Sequence, residues 1–169
     1  NSVFSRNNYN HNLTVQQKFT PFLHKNFINQ QWQTSDFKYG ASTSDKNGCG
    51  WIAIYNVSNM LGLPLSITDI ISEIDVYGTS TFGYLGTNPI IFKKYFEKRN
   101  YVVDFVFDYE KFDESVRNSD ASILCYFSLK GGHATTVRPY NSTKLEFFNN
   151  HYIKSMDEFL QTVTDRVVF

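Results

Sequence analysis

The chain has 169 residues, a length that fits one compact domain better than two. It is 41% hydrophobic and 17% aromatic, enough apolar side chain to fill a core, which argues against a disordered segment. Sixteen basic and sixteen acidic residues cancel, and with a pI near 7.1 and no basic run the chain lacks the electrostatic footprint of a nucleic-acid binder. No apolar stretch approaches the ~20 residues that span a bilayer, so no membrane span is predicted.

In chain order, residues 1–12 are polar and asparagine-rich and predict a flexible tail ahead of one domain over 13–169. The tail lacks the apolar centre of a signal peptide and the sequence has no initiator Met, which suggests a piece of a larger precursor. Over 14–29, Val15, Phe19, Phe22, Leu23 and Phe27 have roughly helical spacing, disturbed by Pro21. Residues 30–48 are polar and turn-rich and read as a loop. Residues 49–61 are apolar on nearly every side and are closed by Gly62 as a C-cap and by Pro64, the pattern of a helix buried at the centre of a domain. A second helix over 66–76 is capped by Ser66 and carries Ile67, Ile70, Ile71 and Ile74 on one stripe. Residues 78–86 form a loop, with an apolar run over 77–85 that suits a substrate groove or packing equally. A third helix over 88–99 has Pro89 where its first turn tolerates it.

From Tyr101 the period changes. Residues 101–107 are β-branched and aromatic and predict a strand; 109–118 predict a short helix. Further strands are predicted over 121–129, 132–140 and 145–149, with Pro139-Tyr140-Asn141-Ser142 turning between the last two. A helix over 155–163 and a strand over 166–169 end the chain. Helices first and an antiparallel sheet second define an α+β arrangement.

Cys49 sits between a glycine-bearing loop and the first turn of the central helix. A thiolate there faces unpaired N–H groups and the positive end of the helix dipole, which predicts a lowered thiol pKa. Gly48 and Gly50 let the backbone turn tightly and a substrate carbonyl approach the Cys49 amide, one half of an oxyanion hole, with Trp51 walling the site. Cys125, inside Ile123-Leu124-Cys125-Tyr126-Phe127, reads as strand core, and the two cysteines differ too much in context to suggest a disulfide. His133 follows Gly131-Gly132 and opens a β-branched run, so its imidazole lies near a sheet edge; His11, His24 and His151 have plain surface or loop contexts. Asn149 ends the next, antiparallel strand, beside the start of the His133 strand. There its amide oxygen would accept the imidazole N–H and hold the tautomer that takes a proton from sulfur, while Asn150 faces the other way. Histidines and cysteines lack zinc-like spacing, and neither metal nor cofactor is implied.

Asn47-Gly48-Cys49-Gly50-Trp51-Ile52-Ala53, then Gly131-Gly132-His133-Ala134, then Phe148-Asn149, resembles the papain-like cysteine peptidase superfamily, above all the peptidases that process double-glycine leaders in bacteriocin export. The resemblance covers about residues 36–150. It implies a helical half and a sheet half with a cleft between them, the central helix starting at the nucleophile, and thiolate attack on an amide. The family's glutamine shortly before the cysteine is missing from residues 43–47, which leaves Asn47, Ser44 or Asp45 beside the Cys49 amide at the oxyanion; Gly48, Gly50, Trp51 and Gly132 would meet the substrate. The implied activity is a peptidase working through a Cys49–His133–Asn149 acyl-enzyme on a peptide or protein substrate, in a bacterial protein, secreted or delivered within a larger one. Two other readings share the fold: a deamidase or transglutaminase serving as a toxin or effector domain, with an immunity or inhibitor partner, and an inactive binding module.

Overall fold

The computed structural model describes residues 5–18, 27–64, 66–77, 87–128, 131–163 and 167–168. Its elements are α1 (Ser5–Lys18), a 3-10 turn (Gln31–Thr34), β1 (Lys38–Tyr39), β2 (Ser42–Thr43), α2 (Ser44–Asn47), α3 (Cys49–Met60), α4 (Ile67–Tyr77), α5 (Ile90–Glu97) and α6 (Tyr109–Arg117). β3 (Ser122–Ser128), β4 (Gly131–Pro139), β5 (Leu145–Phe147), β6 (Tyr152–Lys154), α7 (Met156–Thr162) and β7 (Val167–Val168) complete it. The order is α+β, helices first and an antiparallel sheet second. That sheet runs β6-β5-β4-β3-β7, with every neighbouring pair antiparallel.

Alternation along the strands divides the core between two faces. Cys125 and Ala134 look toward α3, where Trp51, Ile52 and Ile54 pack with Ile70, Ile71 and Ile74 of α4 and Phe92 and Tyr95 of α5. Leu124, Val137 and Phe147 look the other way, onto Phe112 and Val116 of α6 and Met156 and Phe159 of α7. Each large aliphatic side chain buried in this way contributes on the order of 1.5–3 kcal/mol. A buried polar bond crosses from sheet to helix, where Thr136 Oγ1 donates to the Ala53 carbonyl 3.1 Å away.

The helix ends follow the sequence signals. Gly62, at φ 66°, closes α3 with Gly62 N–H on the Asn59 carbonyl and Leu63 N–H on the Ser58 carbonyl. Ser66, Asn88 and Asp108 accept the free N–H groups that open α4, α5 and α6. Ser155 and Glu158 form a reciprocal capping box at α7.

Several expectations are corrected. Part of the segment read as a flexible tail forms α1, with Asn8 and Asn12 buried. Asn12 brackets Lys38, its Nδ2 on the Lys38 carbonyl and its Oδ1 on the Lys38 N–H, both at 2.8 Å. An amide side chain can stand in for a neighbouring strand in this way, so a polar segment docks without an apolar stripe. Of the helix expected over 14–29, residues 14–18 belong to the end of α1, 19–26 lie outside the described residues and 27–29 are not helical. The loop expected over 30–48 contains the 3-10 turn, the β1–β2 hairpin about Gly40 at φ 60°, and α2. Residues 101–107 form no strand; Val102 is 91% exposed, Phe105 and Phe107 are also exposed, and the pairing that would reward their alternation is missing. β6, by contrast, had no signal because it is three residues long. The loop predicted over 78–86 lies outside the described residues. Among the described residues no helix is long and apolar enough to cross a membrane.

The buried Asp75 carboxylate on α4 ties α1 to the hairpin, accepting Asn8 Nδ2 at 3.1 Å and Gly40 N–H at 2.9 Å. Asn8→Ala leaves Asp75 Oδ2 short of its donor and is expected to cost about 1–3 kcal/mol. Urea denaturation checks this, with the exposed Leu13→Ala as a near-neutral control.

Candidate active site

Cys49 opens α3 directly behind α2, and the junction is tight. Gly48 N–H returns to the Ser44 carbonyl at 2.8 Å, and a Cβ on Gly48 would lie 2.4 Å from that oxygen and 2.7 Å from Trp51 Nε1. Trp51 is fully buried against Phe37, its indole N–H on Ser44 Oγ at 3.0 Å. A Cβ on Gly50 would lie 2.0 Å from Thr87 Oγ1, and that hydroxyl in turn meets Tyr39 Oη at 2.8 Å. Protein atoms therefore fill the space that a side chain at Gly48 or Gly50 would occupy, and the Trp51 side chain is buried in the core. Asn47 Nδ2 donates to the Tyr39 carbonyl at 2.7 Å, so the amide assigned to the oxyanion ties down the hairpin. Gly132 on β4 is exposed.

Cys49 is buried, 7% exposed as a whole residue. Burial pushes its pKa up, and hydrogen bonds with the main chain of Ala134, Gly50 and Cys49 oppose this without reversing it. The lowered value expected of a helix N-terminus is overturned, because α3 begins inside the core rather than at its surface. The contact with Ala134 brings the sulfur to the residue that follows His133.

His133 pairs with Tyr126 across β3 and β4, their rings 5.3 Å apart and edge-on. Burial lowers the His133 pKa, and a hydrogen bond with the Asn149 main chain raises it in part, the sense expected of an accepting carbonyl. His133 Nε2 is buried with no hydrogen-bond partner. No hydrogen bond among the described residues joins thiol and imidazole. Strand alternation turns Ala134 toward α3 and His133 toward Tyr126, on the other face of the sheet.

Asn149 stands just beyond β5, in a turn where Asn149 and Asn150 have φ 65° and 89°. Asparagine tolerates this left-handed region better than most residues, and here two occupy it in succession. The turn is clamped from all sides. Phe148 N–H reaches the Thr136 carbonyl at 2.9 Å, Thr135 Oγ1 donates to the Phe148 carbonyl, and Asn150 N–H reaches the Asn29 carbonyl at 2.7 Å. Asn149 Nδ2 donates to Gln31 Oε1 at 3.1 Å, and Asn149 Oδ1 has no partner. The predicted side-chain contact with the imidazole is thus replaced by a main-chain one, because the left-handed turn swings the Asn149 amide toward Gln31. Beyond the turn, His151 Nε2 meets Glu146 Oε1 at 3.0 Å; Glu146 also pairs with Arg138 at 2.6 Å. Burial opposes the Glu146 charge, but these partners hold its pKa below the usual value. Gln31 and Glu146 carried no sequence signal, since each acts through contacts made only in the folded chain.

Among the described residues no group of three or more His, Cys, Asp or Glu is arranged to hold a metal. No protein-family model, curated protein or solved structure matches the chain.

Gly50→Ala forces Thr87 aside and is expected to cost on the order of 1–3 kcal/mol, partly recovered by Thr87→Gly in the same chain; paired denaturation curves decide it. Alkaline pH supplies a second check. Burial pushes Cys125 from 9.0 to about 12 and Tyr126 from 10.0 to about 12, with smaller upward contributions from the Cys49 charge. The unfolded chain releases these protons first, so their contribution to stability is complete below about pH 9 and is lost as pH rises toward 12. The urea midpoint should fall across that window, and less steeply in Cys125→Ala.

Proposed function

We propose that the chain is a papain-like thiol enzyme, a cysteine peptidase with Cys49 as nucleophile and His133 as its base. The observation that carries this reading is the contact of the Cys49 sulfur with the Ala134 main chain, next to an imidazole that is itself backed by the Asn149 main chain. With the thiol pKa raised and the histidine pKa lowered, the resting pair is uncharged. Proton transfer then accompanies attack instead of preceding it.

In that reaction the His133 ring must leave Tyr126 and turn to the Cys49 side of β4; Sγ then bonds to the carbonyl carbon of the substrate amide while His133 takes the thiol proton on Nε2. The developing oxyanion turns to the N–H groups at the start of α3, Cys49 first among them. The imidazolium, favoured by the Asn149 carbonyl, gives its proton to the departing amine, leaving a thioester. Water then attacks the thioester carbon with His133 as base, and the thiol is restored. Deamidation and transglutamination follow the same first half, with ammonia as the leaving group and water or an amine as acceptor.

The test is a peptide-library digest read by mass spectrometry, run beside assays for ammonia release and amine incorporation. Cys49→Ala and His133→Ala should each lower kcat/KM by at least about a thousandfold. Cleavage supports the peptidase reading, and ammonia release or amine incorporation moves the chain to the deamidase or transglutaminase class. Activity that survives Cys49→Ala overturns Cys49 as the nucleophile, and activity in none of the assays leaves the binding module. Iodoacetamide alkylation of Cys49 should be slow at neutral pH and show an apparent pKa above the ~8.5 of a free thiol.

A further inference from the structure

We infer that Gln31 is a positioning residue, whose single amide holds the turn before Cys49 and the turn carrying Asn149 in register; the inference rests on the Cys49–His133 reading above. Gln31 Nε2 donates to the Asp45 carbonyl at 3.0 Å, on α2, the turn that feeds Cys49. Its Oε1 accepts Asn149 Nδ2 at 3.1 Å, from a residue 118 positions away. One planar side chain thus joins α2, which leads into Cys49, to the turn whose Asn149 main chain meets His133.

The segment that carries Gln31 is well anchored. Asn56 on the fully buried stretch of α3 brackets Ile28, with Oδ1 on the Ile28 N–H at 2.8 Å and Nδ2 on the Ile28 carbonyl at 2.9 Å. Next along the chain, the Asn29 carbonyl takes the Asn150 N–H at 2.7 Å. Residues 28–31 therefore form a strap from α3 to the strained turn. The strap has a clear task there, because two successive non-glycine residues at positive φ relax unless their surroundings fix them. If they relax, the Asn149 carbonyl moves away from His133. The ring then loses the one interaction that raises its pKa, and the imidazolium formed during attack loses its stabiliser. Gln31 touches neither sulfur nor imidazole; its effect passes through Asn149.

The test uses Gln31→Met, which keeps side-chain length and removes the amide, in the full chain. The His133 ring is followed by NMR titration and assigned by its loss in His133→Ala. The midpoint in Gln31→Met should move down by on the order of half a pH unit, and the acid limb of the Cys49 alkylation profile should move with it. In an Asn149→Gly background, which suits φ 65°, the same substitution should add almost nothing, because the contact it removes is already gone. Where turnover is measurable, kcat should fall and KM hold. An unchanged His133 midpoint in Gln31→Met overturns the inference, as does an equal effect in both backgrounds. Should alkylation ignore His133→Ala altogether, the Cys–His reading fails; the titration arm still judges Gln31 by itself. If Gln31→Met does not fold, Gln31→Asn, which keeps the amide on a shorter stem, carries the same titration.

Discussion

Ten of the twelve residues of α3 are buried, and the rest of the structure answers to that burial. A helix without a solvent face needs apolar partners all round and a hydrogen-bond partner for every polar atom it carries inward. The sheet covers one side and supplies Thr136 for the Ala53 carbonyl. Ile28 takes both hydrogen-bonding groups of Asn56, and Ser44 takes the Trp51 indole. Each partner lies in a different element, so burial of one helix dictates where β4, residues 28–31 and α2 must sit. Once they are in place, Cys49 stands beside β4.

The same constraint sets the chemistry of the proposed site. An N-terminus at the protein surface would stabilise a thiolate through its free N–H groups. Here those groups work against removal of the sulfur from water, and burial is the larger effect. His133 follows the same logic with opposite sign, because its charged form is the protonated one. Two neutral partners are the low-energy state of a Cys–His pair taken inside a core. In the proposed reaction it is the approach of a substrate carbonyl that would change the balance, since charge developing on its oxygen would give the imidazolium a partner.

Much of this was legible in the sequence where local chemistry decides structure. The ends of α3, α4, α5, α6 and α7 are written in Gly62, Ser66, Asn88, Asp108 and Ser155, each bonding within a few residues of itself. β3, β4 and β5 and the turn between the last two were legible as well, so the neighbourhood of His133 and Asn149 could be read from alternation and one turn. What failed depends on partners distant in sequence. Residues 101–107 have the composition of a strand, yet none of them is part of one in the folded chain. Gly48 and Gly50 suggest an open approach to the nucleophile, yet Ser44, Trp51 and Thr87 fill the space that their missing side chains leave. At Asn149 the residue was legible but not the atom: positive φ turns the side chain away and presents the main chain instead.

The asparagines explain why the polar N-terminal half folds with so little apolar periodicity. A carboxamide carries the same donor and acceptor as a peptide group. Asn12 on Lys38 and Asn56 on Ile28 each use both, bonding one residue's N–H and carbonyl as a strand neighbour would. Asn8 and Asn47 satisfy the carbonyls of Gly40 and Tyr39, which flank the hairpin turn. An aspartate at position 12 or 56 would keep the acceptor and lose the donor, leaving a main-chain carbonyl unpaired in the interior. These side chains therefore do the work of sheet pairing where the strands are two residues long, and they do it from buried positions with only one geometry open to them. That geometry passes from α3 through Ile28 and Gln31 to Asn149, so the precision of the proposed site derives from amide bonds laid down around the central helix, not from the reacting residues themselves.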